Sequence, residues 1–111
     1  MSRRGEGLRR VEEEIAREKA AALGRAGERL SRALEDIARI AARLPGTVGA
    51  ERERLLLEYD EAWVRAREAR LALLIQREAL GLRRHAVVDE LFPEPPRRPA
   101  AAARPEGRAG P

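Results

Sequence analysis

Leu44 is followed at once by Pro45 and Gly46, and this break between two long amphipathic patterns constrains the fold more than any other feature of the chain. Proline cannot continue a helix and glycine readily takes the left-handed conformation, so a helix must end here. Upstream, a stripe runs through Leu8, Val11, Ile15, Lys19, Ala22, Ala26, Leu30, Ala33, Ile37, Ala41 and Leu44. Its spacings repeat as 3, 4, 4, an 11-residue period close to that of a straight helix. The pattern predicts a helix over residues 8–44, roughly 55 Å long, with packing that is nearly straight or slightly right-handed. Thr47 fits the N-cap of a second helix over 48–80. With only 45–47 between them, the two helices must run antiparallel.

The second helix carries two apolar faces. Placed at 100° per residue, Leu55, Tyr59, Ala62, Ala66, Ala69, Leu73 and Leu80 fall on one side, the face expected to meet helix one. Leu57, Val64, Leu71, Ile75 and Leu82 fall on the opposite side, and Leu56, Trp63 and Leu74 bridge the two. Glu58, Glu61, Arg65 and Glu68 supply the remaining polar strip. A hairpin buries only one face of each helix, so the second stripe is expected to stay wet in a monomer and to call for a partner. Trp63 and Tyr59, four residues apart, fit either an interface anchor or ordinary core packing. The middle of the first stripe is weak, because Lys19, Ala22 and Ala26 replace large apolar groups and Gly24 and Gly27 stand beside them. A close helix approach, a soft segment or a hinge would each account for those glycines.

Composition agrees with long helices. Of 111 residues, 38% are charged and only 3% aromatic, and Ala, Glu, Arg and Leu dominate. This length leaves room for one small domain. Gly81 ends or kinks the second helix, and 82–92 reads as a short helical extension with Val87, Val88, Leu91 and Phe92 as its apolar set. Pro93 stops it. Residues 93–111, rich in Pro, Ala and Arg, cannot build a core and are expected to be disordered, as are the flexible basic residues 1–7. Within that tail, Pro93 to Arg98 reads P-x-x-P-x-R, a pattern that Pro-rich ligands present to aromatic grooves and that Arg-rich tails also produce by chance.

The formal net charge of +4 sits in the ends. Residues 1–10 contribute +3 and 93–111 contribute +2, while 11–92 hold 15 basic and 16 acidic side chains. A duplex-binding domain usually carries a basic face on a folded element, and here both signs are interleaved along the helical body. The Arg-bearing ends (Arg3, Arg4, Arg9, Arg10, Arg97, Arg98) still suit weak, salt-sensitive attraction to nucleic acid or another polyanion.

Chemistry finds few parts to work with. The chain has no Cys, which removes disulfides, thiolate metal sites and thiol catalysis. His85 and Asp89 are four apart, but one His and one carboxylate are too few for a structural zinc site, and a helix-end contact is the expected role. The hydroxyls and amine of Ser2, Ser31, Thr47, Tyr59 and Lys19 have no visible base and orienter, and no Gly-rich phosphate loop follows a strand. No enzyme, cofactor or metal is expected. No secretory signal and no span of roughly 20 apolar residues is visible, so a soluble, cytoplasmic protein is the expectation.

The expected fold is therefore all-α: a long, coiled-coil-like antiparallel hairpin that assembles into a four-helix bundle. The expected function is a non-enzymatic protein–protein interaction module that meets a second copy or another helical protein through Leu57, Trp63, Val64, Leu71, Leu74, Ile75 and Leu82. Polyanion binding through the Arg-bearing ends of a dimeric scaffold is the alternative.

Overall fold

A computed structural model describes residues 3–98. It contains α1 (Arg3–Arg43), α2 (Gly49–Ala79) and the short α3 (Ala86–Leu91), with no strand among the described residues. α1 and α2 pack against each other as an antiparallel hairpin, giving a rod of 81 × 25 × 14 Å.

The turn is built around one carbonyl. The backbone N–H of Thr47 donates to Leu44 O at 3.0 Å, the Thr47 hydroxyl donates to it at 2.6 Å, and Arg52 Nη1 reaches it at 3.2 Å. Thr47 thus closes the end of α1 and does not cap α2, as its sequence position suggests. The residue before α2 is Val48, extended at φ −143°, ψ 165°, with no side-chain hydrogen bond. Gly46 takes φ +85°, the left-handed conformation that reverses the chain at low cost. Leu44 itself is buried, plugging the closed end.

The inner face of α2 is the one its periodicity marks. Leu55, Tyr59, Ala62, Ala66, Ala69 and Leu73 are all buried. Ile37 packs with Tyr59, Ala62 and Ala66 near the turn, while Ala26 and Leu30 pack with Ala69 and Leu73 further along. Small residues on α2 receive large ones from α1.

Two boundaries differ from the sequence reading. α1 begins at Arg3, so residues 3–7, expected to be flexible, are helical; Arg and Glu are good helix formers and no Pro intervenes. Its first half then runs past its partner. At 1.5 Å per residue α1 is about 61 Å long and α2 about 46 Å; residues 3–21 of α1 are all exposed, with Leu8, Val11 and Ile15 48–61% accessible.

At the other end, Leu82 N–H bonds Arg77 O and Gly81 N–H bonds Glu78 O, both at 2.9 Å. This paired closure, with Gly81 at φ +83°, stops α2 and turns the chain back. The extension expected over 82–92 is helical only from Ala86 to Leu91, and its Val88 enters the core beside Ala69 and Leu73. Residues 93–98, expected to be disordered, instead lie along α2, while 99–111 fall outside the described residues.

Gly24 and Gly27 are not sites of close helix approach: a Cβ at either meets nothing within 4 Å. They cost helix propensity without a packing return. Gly24→Ala and Gly27→Ala should each stabilise the fold by about 1 kcal/mol, seen as a higher urea midpoint. A lower midpoint would show that one of them serves as a required bend.

Candidate interaction surface

The outward side of α2 carries a continuous apolar stripe. Leu82, grouped with this stripe on sequence grounds, lies past the end of α2 and is 42% exposed; on α2 itself Leu57, Val64, Leu71 and Ile75 are between 44% and 65% exposed, although the opposite side of the same helix is buried. These positions are set by helical geometry: they lie roughly half a turn from the core face, and neither α1 nor α3 reaches round to cover them.

Trp63 and Leu74, grouped with that stripe on sequence grounds, are half-buried and engaged within the chain. Leu74 packs on the cluster around Leu30 and Leu73. Trp63 packs on the cluster around Ile37 and is covered from outside by the C-terminal segment. The bare start of α1, with Leu8, Val11 and Ile15, adds an apolar surface that sequence reading assigned to the hairpin core. The signal was present in the lengths: the first pattern is longer than the second.

Residues 93–98 form a strap that runs back along α2 toward the turn. Arg70 anchors its start, donating from Nη1 to Phe92 O at 3.0 Å and pairing with Asp89. Trp63 Nε1 then donates to Pro95 O at 3.2 Å, and the Tyr59 hydroxyl donates to Pro96 O at 2.6 Å. Arg97 and Arg98 close the run on Asp60, at 3.2 and 3.6 Å from its two carboxylate oxygens. The Arg97 guanidinium also stands 4.6 Å from the centre of the Trp63 ring, a cation–π contact. Two of the six arginines marked for polyanion contact are therefore held by this chain's own carboxylate. Arg3, Arg4, Arg9 and Arg10 stand on the exposed first turns of α1 and not on a loose tail.

Asp60 and Arg70 were not singled out by sequence reasoning. Their role depends on contacts across 37 and 22 residues, which no local period encodes. The side chains of His85 and Asp89 do not pair: His85 faces Glu78 at 3.3 Å and Arg77 at 3.4 Å, and the Asp89 carboxylate goes to Arg70. Among the described residues no group of three or more His, Cys, Asp or Glu is placed to hold a metal, and no helix is long and apolar enough to cross a membrane.

Tyr59 is the titrating member of the strap contact. Burial raises its pKa above 10.0, the neighbouring Asp60 charge raises it further, and Arg97 opposes both. The folded chain holds this proton more tightly than the unfolded one. The contribution to stability is complete below the ordinary pKa of 10.0 and is lost as pH rises through the raised folded value. Unfolding free energy measured in urea should fall above about pH 10, together with loss of the Trp63 fluorescence characteristic of the covered ring. Tyr59→Phe should remove most of that alkaline slope; an unchanged slope would assign it to other groups.

Compared with protein-family models, with curated proteins and with solved structures, the chain finds no match, so its function is argued from these surfaces alone.

Proposed function

We propose that this protein is a non-enzymatic interaction module in which α2 pairs with α2 of a second copy, closing two hairpins into a four-helix bundle. The observation that carries the reading is the outward stripe of Leu57, Val64, Leu71 and Ile75, left exposed on a helix whose other face is fully used. Exposed apolar rows of this length on a soluble scaffold mark association surfaces.

A second copy fits the stripe by symmetry. On α2 itself Val64 and Ile75 lie at equal distances either side of a point between Ala69 and Arg70. An isologous antiparallel pair needs such mirrored spacing, since residue i meets j and j meets i. It sets Val64 against Ile75 of the second copy and brings Leu57 to the far end of that copy's α2. The body between 11 and 92 is nearly neutral, with both signs interleaved, so no net repulsion opposes the approach. The twofold axis then falls near Ala69 and Arg70, level with the Ala26 to Leu30 stretch of α1. About 20 Å from that axis, the turn end of the second copy comes level with Val11 and Ile15, bringing its Leu57 toward the bare start of α1.

Light scattering on the eluting protein should give about twice 12.4 kDa at low and high salt. Leu71→Glu with Ile75→Glu should halve that mass while far-ultraviolet dichroism keeps the helical signal. A wild-type mass of 12.4 kDa across the concentration range overturns the pairing and leaves the stripe to a different helical protein.

The register has its own test, made clean by the absence of native Cys. A chain carrying Val64→Cys and Ile75→Cys should oxidise to a covalent dimer. Within one chain those positions are about 16 Å apart along α2, too far for a bridge. Failure to cross-link in a protein that is still dimeric rejects the antiparallel register and keeps the dimer.

The polyanion alternative draws on Arg3, Arg4, Arg9 and Arg10 at the exposed end of α1. It is the weaker reading, because Arg97 and Arg98 pair with Asp60. It requires binding to a duplex or heparin that falls steeply with salt.

A further inference from the structure

We propose that Tyr59, Asp60 and Trp63 form a peptide-recognition site for an extended Pro-Pro-Arg-Arg segment, and that residues 95–98 of this chain are its resident ligand. The inference goes beyond the pairing of α2 and stands without it, because the site lies beside the outward stripe and uses none of its exposed residues.

The chemistry of the ligand and that of the site are complementary at three points. Pro95 and Pro96 have no backbone N–H, so this stretch of peptide offers hydrogen-bond acceptors only. The site answers with donors: the Trp63 indole N–H on Pro95 O at 3.2 Å and the Tyr59 hydroxyl on Pro96 O at 2.6 Å. Two cationic side chains follow the prolines, and one carboxylate, Asp60, receives both, through Arg97 at 3.2 Å and Arg98 at 3.6 Å. The Trp63 ring accepts the Arg97 guanidinium at 4.6 Å on its face.

The floor of the site is composite. Glu94 and Pro95 close over a cavity of about 10 Å³ bounded by Leu30 and Leu34 of α1 and by Trp63 and Ala66 of α2. A void that small fits one water at most, so the segment is seated closely on the hairpin. Pro-rich peptide loses little conformational entropy on docking, which is why six residues without secondary structure can be held by so few contacts.

A surface strip that merely sticks to the nearest apolar patch needs no such match. Here two aromatic side chains that both donate meet a backbone stretch without N–H donors, and an acid meets the two bases that end the segment. The same segment supplied as a separate peptide should therefore occupy the site, with attachment to the chain serving to raise its local concentration.

Trp63 is the only Trp, so its indole N–H gives a single proton–nitrogen resonance that reads occupancy directly. In full-length protein carrying Arg97→Ala and Arg98→Ala, that resonance should move away from its wild-type position as the tethered segment loosens. Addition of a synthetic peptide of sequence Glu-Pro-Pro-Arg-Arg-Pro should return it along a saturable curve. The same peptide with both Arg replaced by Glu should bind at least about tenfold more weakly. Asp60→Asn, introduced into the same full-length background, should lose a similar factor for the native peptide while leaving the helical dichroism intact.

The proposal is overturned by an indole resonance that the arginine substitutions leave in place, or by a peptide titration with no saturable shift into the millimolar range. Equal binding of the native and Glu-bearing peptides also overturns it, since Asp60 would then recognise nothing. None of these outcomes bears on the mass measured by light scattering, so failure here and failure of the α2 pairing are separable.

Discussion

Leu30 and Ile37 of α1 resting on the small residues Ala62, Ala66 and Ala69 of α2 are the packing on which the rest of the structure depends. Alanine on one helix lets the other approach closely, and large residues of one helix rest on small ones of the other along the seam. It also keeps that seam thin. Much of the larger aliphatic content of α2, including Leu57, Val64, Leu71 and Ile75, is displaced to the outside. A two-helix hairpin of this size buries little apolar surface relative to the chain entropy it must offset, so it relies on further covering elements. The structure supplies one of them in cis, where Val88 and the strap cover the flank of α2.

The faces of α2 were legible in the sequence because they depend only on helical period. All six buried residues of that helix sit where 100° steps place them, and the four opposite positions that lie on it are exposed, while Leu82 falls past the helix end at Gly81. The end of α1 was legible for the same local reason, since Pro45 and Gly46 act through their own backbone constraints. Thr47 was misassigned because its hydroxyl had two neighbouring ends to choose between. The carbonyl of Leu44 lies three residues back and competes directly with the start of α2. Such a choice is decided by the path of the turn rather than by residue type.

The strap was illegible for a different reason. Its residues have no period, and a Pro-rich, charged composition matches that of segments unable to form a core. What holds it is a small set of donors and one carboxylate on α2, more than thirty residues away in sequence for each of Trp63, Tyr59 and Asp60. Pairings at that separation leave no trace in local patterning. The motif itself was visible, but its receptor lay in the same chain. Likewise, the bare start of α1 followed from a length difference between two helices, which only becomes a surface once the hairpin is closed.

Trp63 stands where the strap meets the exposed apolar row of α2. Its ring is under Arg97, and Glu94 and Arg97 of the strap line the same groove as Val64, Leu71 and Leu74. The strap thus forms one wall of the apolar row that α2 turns outward. Salt screens the pairs that the exposed Arg97 and Arg98 make with Asp60, whereas burial of Leu71 and Ile75 against another helix, as proposed, would be insensitive to screening and would gain from excluded salts such as sulfate. The strap is thus held in part by charge, and the row beside it offers only apolar contact, so the two neighbours on one helix answer to opposite ionic conditions.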